Sequence, residues 1–360
     1  MQTQRTDLNF KGQNFYVGID VHLKSWTVSI LTETLPLKTF TQPANAETLY
    51  NYLDRNFPGG TYHSVYEAGF CGFKAHHSLK GMGIENIIVN PADVPTSQKE
   101  QLQKDDPVDS RKLARSLRSG ELRGIYVPDP STIEDRSLVR MRSTLVKDLS
   151  RNKHRIKSFL YFYGIIYPPE FEKSGTHWSK RFMKWLNEAV VTEYDSGTQA
   201  FKILIQEAEQ HRAHLLEVTR KLRNLAKSEK YSKEVALLRS IPGIGIITAM
   251  TVMTEIETIE RFNDTDHFAG FVGLVPTRHS SGEKKNDGEM TFRGQDALKS
   301  ALIESSWMAA RFDPALLKSY HTYVMRMEPN QAITRIARKV LNRMYYVLKN
   351  KKEYVSSIVK

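Results

Sequence analysis

The 360-residue chain has a single cysteine, Cys71. One thiol excludes an intramolecular disulfide framework and a zinc site built from cysteines alone. No apolar run approaches the roughly 18 residues that a membrane-spanning helix needs. The opening MQTQRTDLNFKGQNF is polar and lacks the apolar stretch of a secretory signal. Internal repeats and low-complexity tracts are missing too. These absences lead to the expectation of a soluble intracellular protein with no membrane partner.

What is abundant is positive charge. Lys and Arg outnumber Asp and Glu by 52 to 40, a net charge of +12. Such a surplus points to a polyanionic partner, and the many remaining acids suit an enzyme that grips phosphates while holding metal ions. The hydrophobic share of 40% is ordinary for a globular chain. The length allows two or three domains with their own cores.

Three blocks are expected: 1–128, 129–235 and 236–360. The first reads as α/β. FYVGIDV alternates Phe15, Val17 and Ile19 with Tyr16 and Gly18, the period-two signal of a strand. KSWTVSILTE, TYHSVYEAG and ENIIVNP read as further strands. NAETLYNYLDRNF, capped by Asn45, and FKAHHSLKGMG read as helices. KDDPVDSRKLARSLRSGEL reads as a helix with its start. Alternating strands and helices imply a sheet layered with helices.

The second block, after the linker YVPDPST, is helical. Its first stretch, Ile133 to Tyr163, is strongly basic, with Arg136, Arg140, Arg142, Lys147, Arg151, Lys153, Arg155 and Lys157. GIIYPPEFEKSGTHW interrupts the pattern. A second long helix then carries Phe201, Leu204, Ala208, His211, Leu215, Val218, Leu222 and Leu225 at alternating steps of three and four. That is a coiled-coil seam, either pairing with the basic helix as a hairpin or joining subunits. In the third block, IPGIGIITA reads as a helix–glycine turn–helix whose Gly243 and Gly245 allow either phosphate approach or a tight helix connection. FAGFVGLVPTRHSSGEKKNDGEM reads as loop-rich, and two helices close the chain.

The acids have an order of their own. Asp20 closes the first strand, with His22 and Lys24 just beyond, and Glu67 closes a later one. Asp106 and Asp109 stand three apart at a helix start, and so share a helix face. Two strand-end carboxylates and a helical pair can converge on two divalent ions that stabilise the attacking and leaving oxygens of a phosphoryl displacement. Hard carboxylate oxygens suit Mg²⁺, with Mn²⁺ as the alternative.

VGIDVHLKSW, YEAGFCG, VNPADVP and KDDPVDSRKLA resemble successive motifs of the bacterial insertion-sequence transposases of family one-ten, with its eleven-eleven subgroup. IPGIGIITA, FAGFVGLVPTRHSSGEK, the segment ending MTFRGQDALKSALIESSWMAARFDP, and AITRIARKVLNRMYYVL resemble the same family's second domain. The resemblance implies a RuvC-like (RNase H-like) N-terminal domain, a long helical or coiled-coil middle and a mainly α C-terminal transposase domain. It implies a DEDD tetrad at Asp20, Glu67, Asp106 and Asp109. Where the family usually has Thr before the third acid, this chain has Asp105, a minor ligand or a decoy.

The resemblance further implies that Ser280, first in a Ser-Ser-Gly turn, is a nucleophile that becomes linked to DNA phosphate, with Ser281 as the fallback. A serine hydroxyl needs a base, a metal or both to attack. Donor and target DNA, a structured bridge RNA encoded by the element, and a homo-oligomer (dimer or tetramer) are the implied partners. The implied setting is the bacterial cytoplasm at the nucleoid. Two other readings stand beside this one: a RuvC-like junction nuclease using water, and a non-catalytic nucleic-acid-binding regulator.

Overall fold

The computed structural model describes residues 9–96, 105–281, 284–291 and 293–356. It falls into two compact units, 1–127 and 128–360.

The first unit is built on a five-stranded sheet in the order β3-β2-β1-β4-β5. Its strands are β1 (Asn14–Val21), β2 (Ser25–Leu31), β3 (Pro36–Pro43), β4 (Thr61–Glu67) and β5 (Glu85–Val89). β1, β4 and β5 run parallel, while β2 pairs antiparallel to both β1 and β3. This mixed sheet with helices is RNase H-like. Phe15, Val17, Ile19, Val28 and Ile30 point to one face and are fully buried with Leu49 and Leu53 of α1 (Ala46–Asn56) and Leu79 of α2 (Lys74–Gly81). Asn45 caps α1, accepting from the Glu47 amide at 2.7 Å.

The other face carries α3 (Asp106–Arg118). It sits on a polar ladder: Ser29 Oγ lies 2.9 Å from Ser110 Oγ and 2.8 Å from Thr39 Oγ1. β3, which carries that Thr39, has no counterpart among the expected strands. It is an edge strand with proline at both ends and mostly exposed residues, so hydrophobic alternation gives no signal.

The second unit begins with α4 (Pro130–Phe162), 33 residues or about 50 Å of helix. Asp129 caps it, accepting from the Ser131 amide at 2.9 Å. The short α5 (Lys180–Glu188) follows, then α6 (Asp195–Leu225). α6 packs along α4 of the same chain: Phe159 stacks on Phe201 at 4.7 Å, and Asn152 Nδ2 donates to Glu207 at 2.8 Å. Phe201, Ile205, Ala208 and Leu222 are buried, whereas Leu215 is half-buried and Leu216 is 64% exposed. The seam thus spends its ends on an intramolecular hairpin and leaves its middle partly open.

The remaining helices are α7 (Ser232–Arg239), α8 (Ile246–Ile256), α9 (Thr265–Val272), α10 (Asp296–Phe312), α11 (Pro314–Val324) and α12 (Pro329–Asn350). In α12, Ile333, Ile336, Ala337, Val340, Leu341 and Met344 recur at helical spacing and are buried against the neighbouring helices. The stretch expected to be loop-rich is ordered differently. α9 ends at Gly273 in the left-handed region, φ +83°, and an antiparallel hairpin of β6 (Pro276–Ser281) and β7 (Lys284–Met290) follows. Both strands are polar, so no apolar alternation betrays them. No helix among the described residues is long and apolar enough to cross a membrane.

Candidate metal centre

β1 and β4 are adjacent and parallel, with Ile19 level with Tyr66. One residue further on, Asp20 and Glu67 stand side by side at the strand ends. Alternation puts Asp20 on the face of Gly18, and Glu67 on the face of Val65. Both of those residues lie under α3: Gly18 lies against the Ser110 and Ala114 backbone, and Val65 shares a buried cluster with Leu113. α3 therefore lies over the strand ends, and its first turn, with Asp106 and Asp109, comes to Asp20.

The structure draws three side chains tightly together. His22 Nε2 is 3.3 Å from Asp20 Oδ2 and 3.2 Å from Asp106 Oδ2. One ligand atom from each of Asp20, His22 and Asp106 falls within 4.8 Å of the others. Glu67 and Asp109 lie outside that trio. Asp109 accepts from Lys112 Nζ at 3.2 Å. Asp105 takes the cap position of α3 by its backbone, without a side-chain cap bond.

Burial raises the Asp20 carboxyl above its ordinary value; His22 opposes that rise, while the charges of Asp106 and Asp109 add to it. The acids thus crowd one another, and a cation between them would relieve the crowding. Two carboxylates and an imidazole at this spacing fit a divalent ion of the Mg²⁺ or Mn²⁺ kind. His22 and Lys112 had no assigned role in the sequence. For His22 a signal was available: it stands two residues after Asp20, just past the end of β1.

Ser280 and Ser281 lie on β6, with Ser280 paired to Lys285 and Ser281 to Lys284 across the hairpin. The side chains of 278–289 fall outside the described residues, as do Gly282 and Glu283 altogether.

Two other features singled out in the sequence, the glycine turn and the basic helix, take definite places. In IPGIGIITA, Gly243 has φ +85°, and a Cβ there would stand 2.5 Å from the Ser305 carbonyl oxygen and 2.6 Å from the Ala309 amide nitrogen. Its close approach is to the backbone of α10, so it makes a tight helix connection. Gly245 caps α8 and has nothing within 4 Å of a built Cβ. In the basic helix α4, Arg140 grips Glu255 with two bonds of 2.9 and 3.0 Å. Arg136 donates to the Thr254 carbonyl at 2.8 Å, and Arg142 to Thr219 at 3.1 Å. These three arginines face their own unit. Lys147, Arg151 and Arg155 are exposed and make no contact of this kind with another helix among the described residues.

Comparison with known proteins adds a family to this geometry. Residues 17–165 match a family profile described as a transposase, of the DEDD IS110 type. Residues 235–322 match one described as the transposase IS116/IS110/IS902 family. The y4qE protein of Sinorhizobium fredii (strain NBRC 101917 / NGR234) is 29% identical over 253 residues, covering 70% of this chain and 60% of that one. The transposase for insertion sequence element IS1533 of Leptospira borgpetersenii is 28% identical over 298 residues, 81% of this chain and 84% of its own. The transposase for insertion sequence element IS1111A of Coxiella burnetii (strain RSA 493 / Nine Mile phase I) is 26% identical over 242 residues, 66% and 63%. The matched region thus spans from 60% to 84% of the length of these relatives.

Proposed function

We propose, from the premise that this chain belongs to the IS116/IS110/IS902 family of transposases, that it cuts and rejoins DNA with Ser280 as nucleophile and with the aid of a carboxylate metal centre. The observation that carries this reading is the convergence of Asp20, His22 and Asp106 where β1 meets the first turn of α3. A transposase of this family binds DNA, and its DEDD domain implies a divalent metal.

Asp20, Glu67, Asp106 and Asp109 would hold the metal, with His22 as a further donor and Mg²⁺ as the ion, Mn²⁺ substituting. When bound, divalent ions at such a site offset charge on the phosphoryl oxygens. The Ser280 oxygen forms a bond to phosphorus, and the sugar oxygen leaves with the electron pair of the bond that breaks. The serine hydroxyl proton passes, directly or through water, to that leaving sugar oxygen, which becomes a free strand-end hydroxyl. A hydroxyl of the exchanged strand then displaces serine. Each step replaces one phosphoester by another, so joining needs no nucleotide cofactor. Lys284 and Lys285, opposite the two serines in the hairpin, supply positive charge for phosphate.

The finer assignments are also ours. The similarity to the IS1111A transposase supports a place in the eleven-eleven subgroup. Within it, a bridge RNA pairs with donor and target DNA, and the protein reads backbone and shape. The chain works as a dimer or tetramer that brings the acidic site of one subunit to the serine of another. The three blocks 1–128, 129–235 and 236–360 act as nuclease, helical and serine modules, and the enzyme works at the bacterial nucleoid in the cytoplasm.

The test is covalent trapping. With Mg²⁺ and an element-end DNA, wild type should leave a protein–DNA adduct that survives denaturation. Ser280→Ala should lose adduct and recombinants by several orders of magnitude, and Ser281→Ala should keep both. A Ser280→Ala protein that still cleaves at the wild-type position would instead make water the nucleophile, as in a junction nuclease. A dead Ser281→Ala with an active Ser280→Ala would move the nucleophile by one residue.

A further inference from the structure

The two family profiles stop at 165 and resume at 235. Most of the lining of a groove of about 640 Å³ falls between those limits; the groove is walled by α5 and α6 and, from within the first match, by Leu149 and Lys153 of α4. Ligand pockets for small molecules usually lie between roughly 300 and 1,000 Å³. The wall is apolar where Trp178, Met183 and Leu216 face it, and cationic where Lys153, Lys180 and Arg212 do. Glu209 is the one carboxylate of the lining.

Three features set this groove apart from an ordinary solvated surface. Among the described residues, no carboxylate comes within ion-pair distance of Lys153, Lys180 or Arg212. Lys153 Nζ instead lies 5.1 Å from the Trp178 ring centre, and Arg212 Nη1 reaches the Trp178 carbonyl at 3.5 Å. Burial, with Arg212 and Lys157 as like-charged neighbours, lowers the Lys153 ammonium below its usual value. An anion in the groove would relieve that repulsion. Trp178 itself has φ +68°. A bulky side chain in the left-handed region is an outlier, held here by its neighbours: the indole meets Phe182 edge-on at 5.4 Å.

We propose that this groove holds one unpaired nucleotide of a single-stranded nucleic acid, its base against Trp178 and the Leu216 side and its phosphate on Lys153, Lys180 and Arg212. The combination selects the ligand. Phosphate alone would leave the indole and aliphatic wall without a purpose, and an apolar ligand would leave the cations unpaired. A base-paired duplex keeps its bases stacked inside, so its phosphates could meet the cations without filling the wall. An unpaired nucleotide offers a flat aromatic ring and an anion a few bonds apart, the pairing that single-strand binders recognise. Glu209 adds an acceptor for a base amino group. The inference draws on the nucleic-acid reading above only for the source of the strand.

The test uses the full chain, labelled oligo(U) and oligo(dT), and a duplex of equal length, followed by fluorescence anisotropy. Trp178→Ala should weaken single-strand binding by on the order of tenfold and leave duplex binding within about twofold; Trp178→Phe should restore most of it. Lys180→Glu with Arg212→Glu should weaken single-strand binding and lower its log–log salt slope by roughly 0.7 for each phosphate no longer neutralised. Binding of either strand supports the site, and a preference for oligo(U) assigns RNA as its source. Equal losses on duplex, or no loss on either strand, would overturn it. So would a charge-reversed protein whose mass by light scattering drops, since a second copy would then be the occupant. Asp20→Asn separates the two readings, because it should stop strand transfer while oligonucleotide affinity stays at wild type.

Discussion

Gly18 lies so close to Ser110 that a Cβ at position 18 would stand 2.0 Å from the Ser110 carbonyl oxygen and 2.5 Å from the Ala114 amide nitrogen. Both contacts are with backbone, so no rotamer change relieves them. The absence of a side chain at this one strand position lets α3 rest directly on β1. That seat is what brings the first turn of α3 over the end of the strand, where Asp20 and Asp106 share His22.

Gly18→Ala should therefore act on fold and site together. Lifting α3 off the sheet breaks the Ser29–Ser110 hydrogen bond and opens the Val65–Leu113 cluster. Overpacking of this kind costs about 1–3 kcal/mol or more. The thermal transition of the first unit should drop by several degrees, and Mn²⁺ affinity should fall with it. Calorimetry and titration give both numbers. A variant that melts and binds metal like wild type would mean that α3 is not seated on β1.

His22 makes a narrower prediction. It is an exposed residue, 48% accessible in its side chain, so His22→Ala should leave stability nearly unchanged. As a donor placed between two carboxylates, its loss should weaken Mn²⁺ binding by about ten- to a hundredfold, the range seen for groups that support a metal site. Asp109→Ala should abolish strand transfer and release Lys112. Unaltered Mn²⁺ affinity in His22→Ala would reduce the imidazole to a hydrogen-bond partner of the two acids.

The sequence made much of this centre legible, for a physical reason. A strand-end acid is fixed by the apolar alternation before it, as with Phe15, Val17 and Ile19 leading to Asp20. Two acids three apart are fixed on one helix face by helical geometry. What stayed hidden depended on tertiary contacts. β3 is polar and sits at an edge, so no pattern announces it. The hairpin under Ser280 is polar on both strands. Gly243 offers the same freedom to a phosphate or to a helix, and only the position of α10 decides between them. Arg136 and Arg140 look like any basic surface until Glu255 is found opposite them, more than a hundred residues away in the chain.

That pairing carries the third prediction. Glu255 is 3% exposed and serves both Arg136 and Arg140. Glu255→Gln removes the carboxylate that lies 3.5 Å from Arg136, whose side chain is only 12% accessible. Breaking a buried pair from one side costs about 3–5 kcal/mol. The lower end applies here, because Arg140 is more than half exposed and can return to water. Urea unfolding should show that loss in the second unit. Removing both sides, as in Glu255→Leu with Arg136→Met, should recover most of it. A full-stability Glu255→Gln protein would show that the cluster contributes nothing.

The last prediction divides the basic helix α4 into two classes by what its side chains touch. Lys147, Arg151 and Arg155 are exposed. Among the described residues Arg151 pairs with Asp148 alone, one turn away, and it is 68% accessible. A surface pair of that kind is worth less than about 1 kcal/mol, so these three cations are free to exchange water for phosphate. Replacing all three by Gln should leave unfolding unchanged. It should also lower the log–log salt slope of duplex DNA binding by up to roughly 0.9 for each phosphate that the variant no longer neutralises. Arg136 behaves in the opposite way. Its guanidinium is spent on the Thr254 carbonyl and on Glu255, so Arg136→Gln should destabilise the second unit and leave the salt slope where it was. Each substitution removes one charge, so a general effect of net charge would move the Arg136→Gln slope by about a third of the triple variant's shift instead of leaving it unchanged. A slope that fails to move in the triple variant would show that the exposed face of α4 looks into solvent in the complex, and the phosphate grip would then lie elsewhere on the chain.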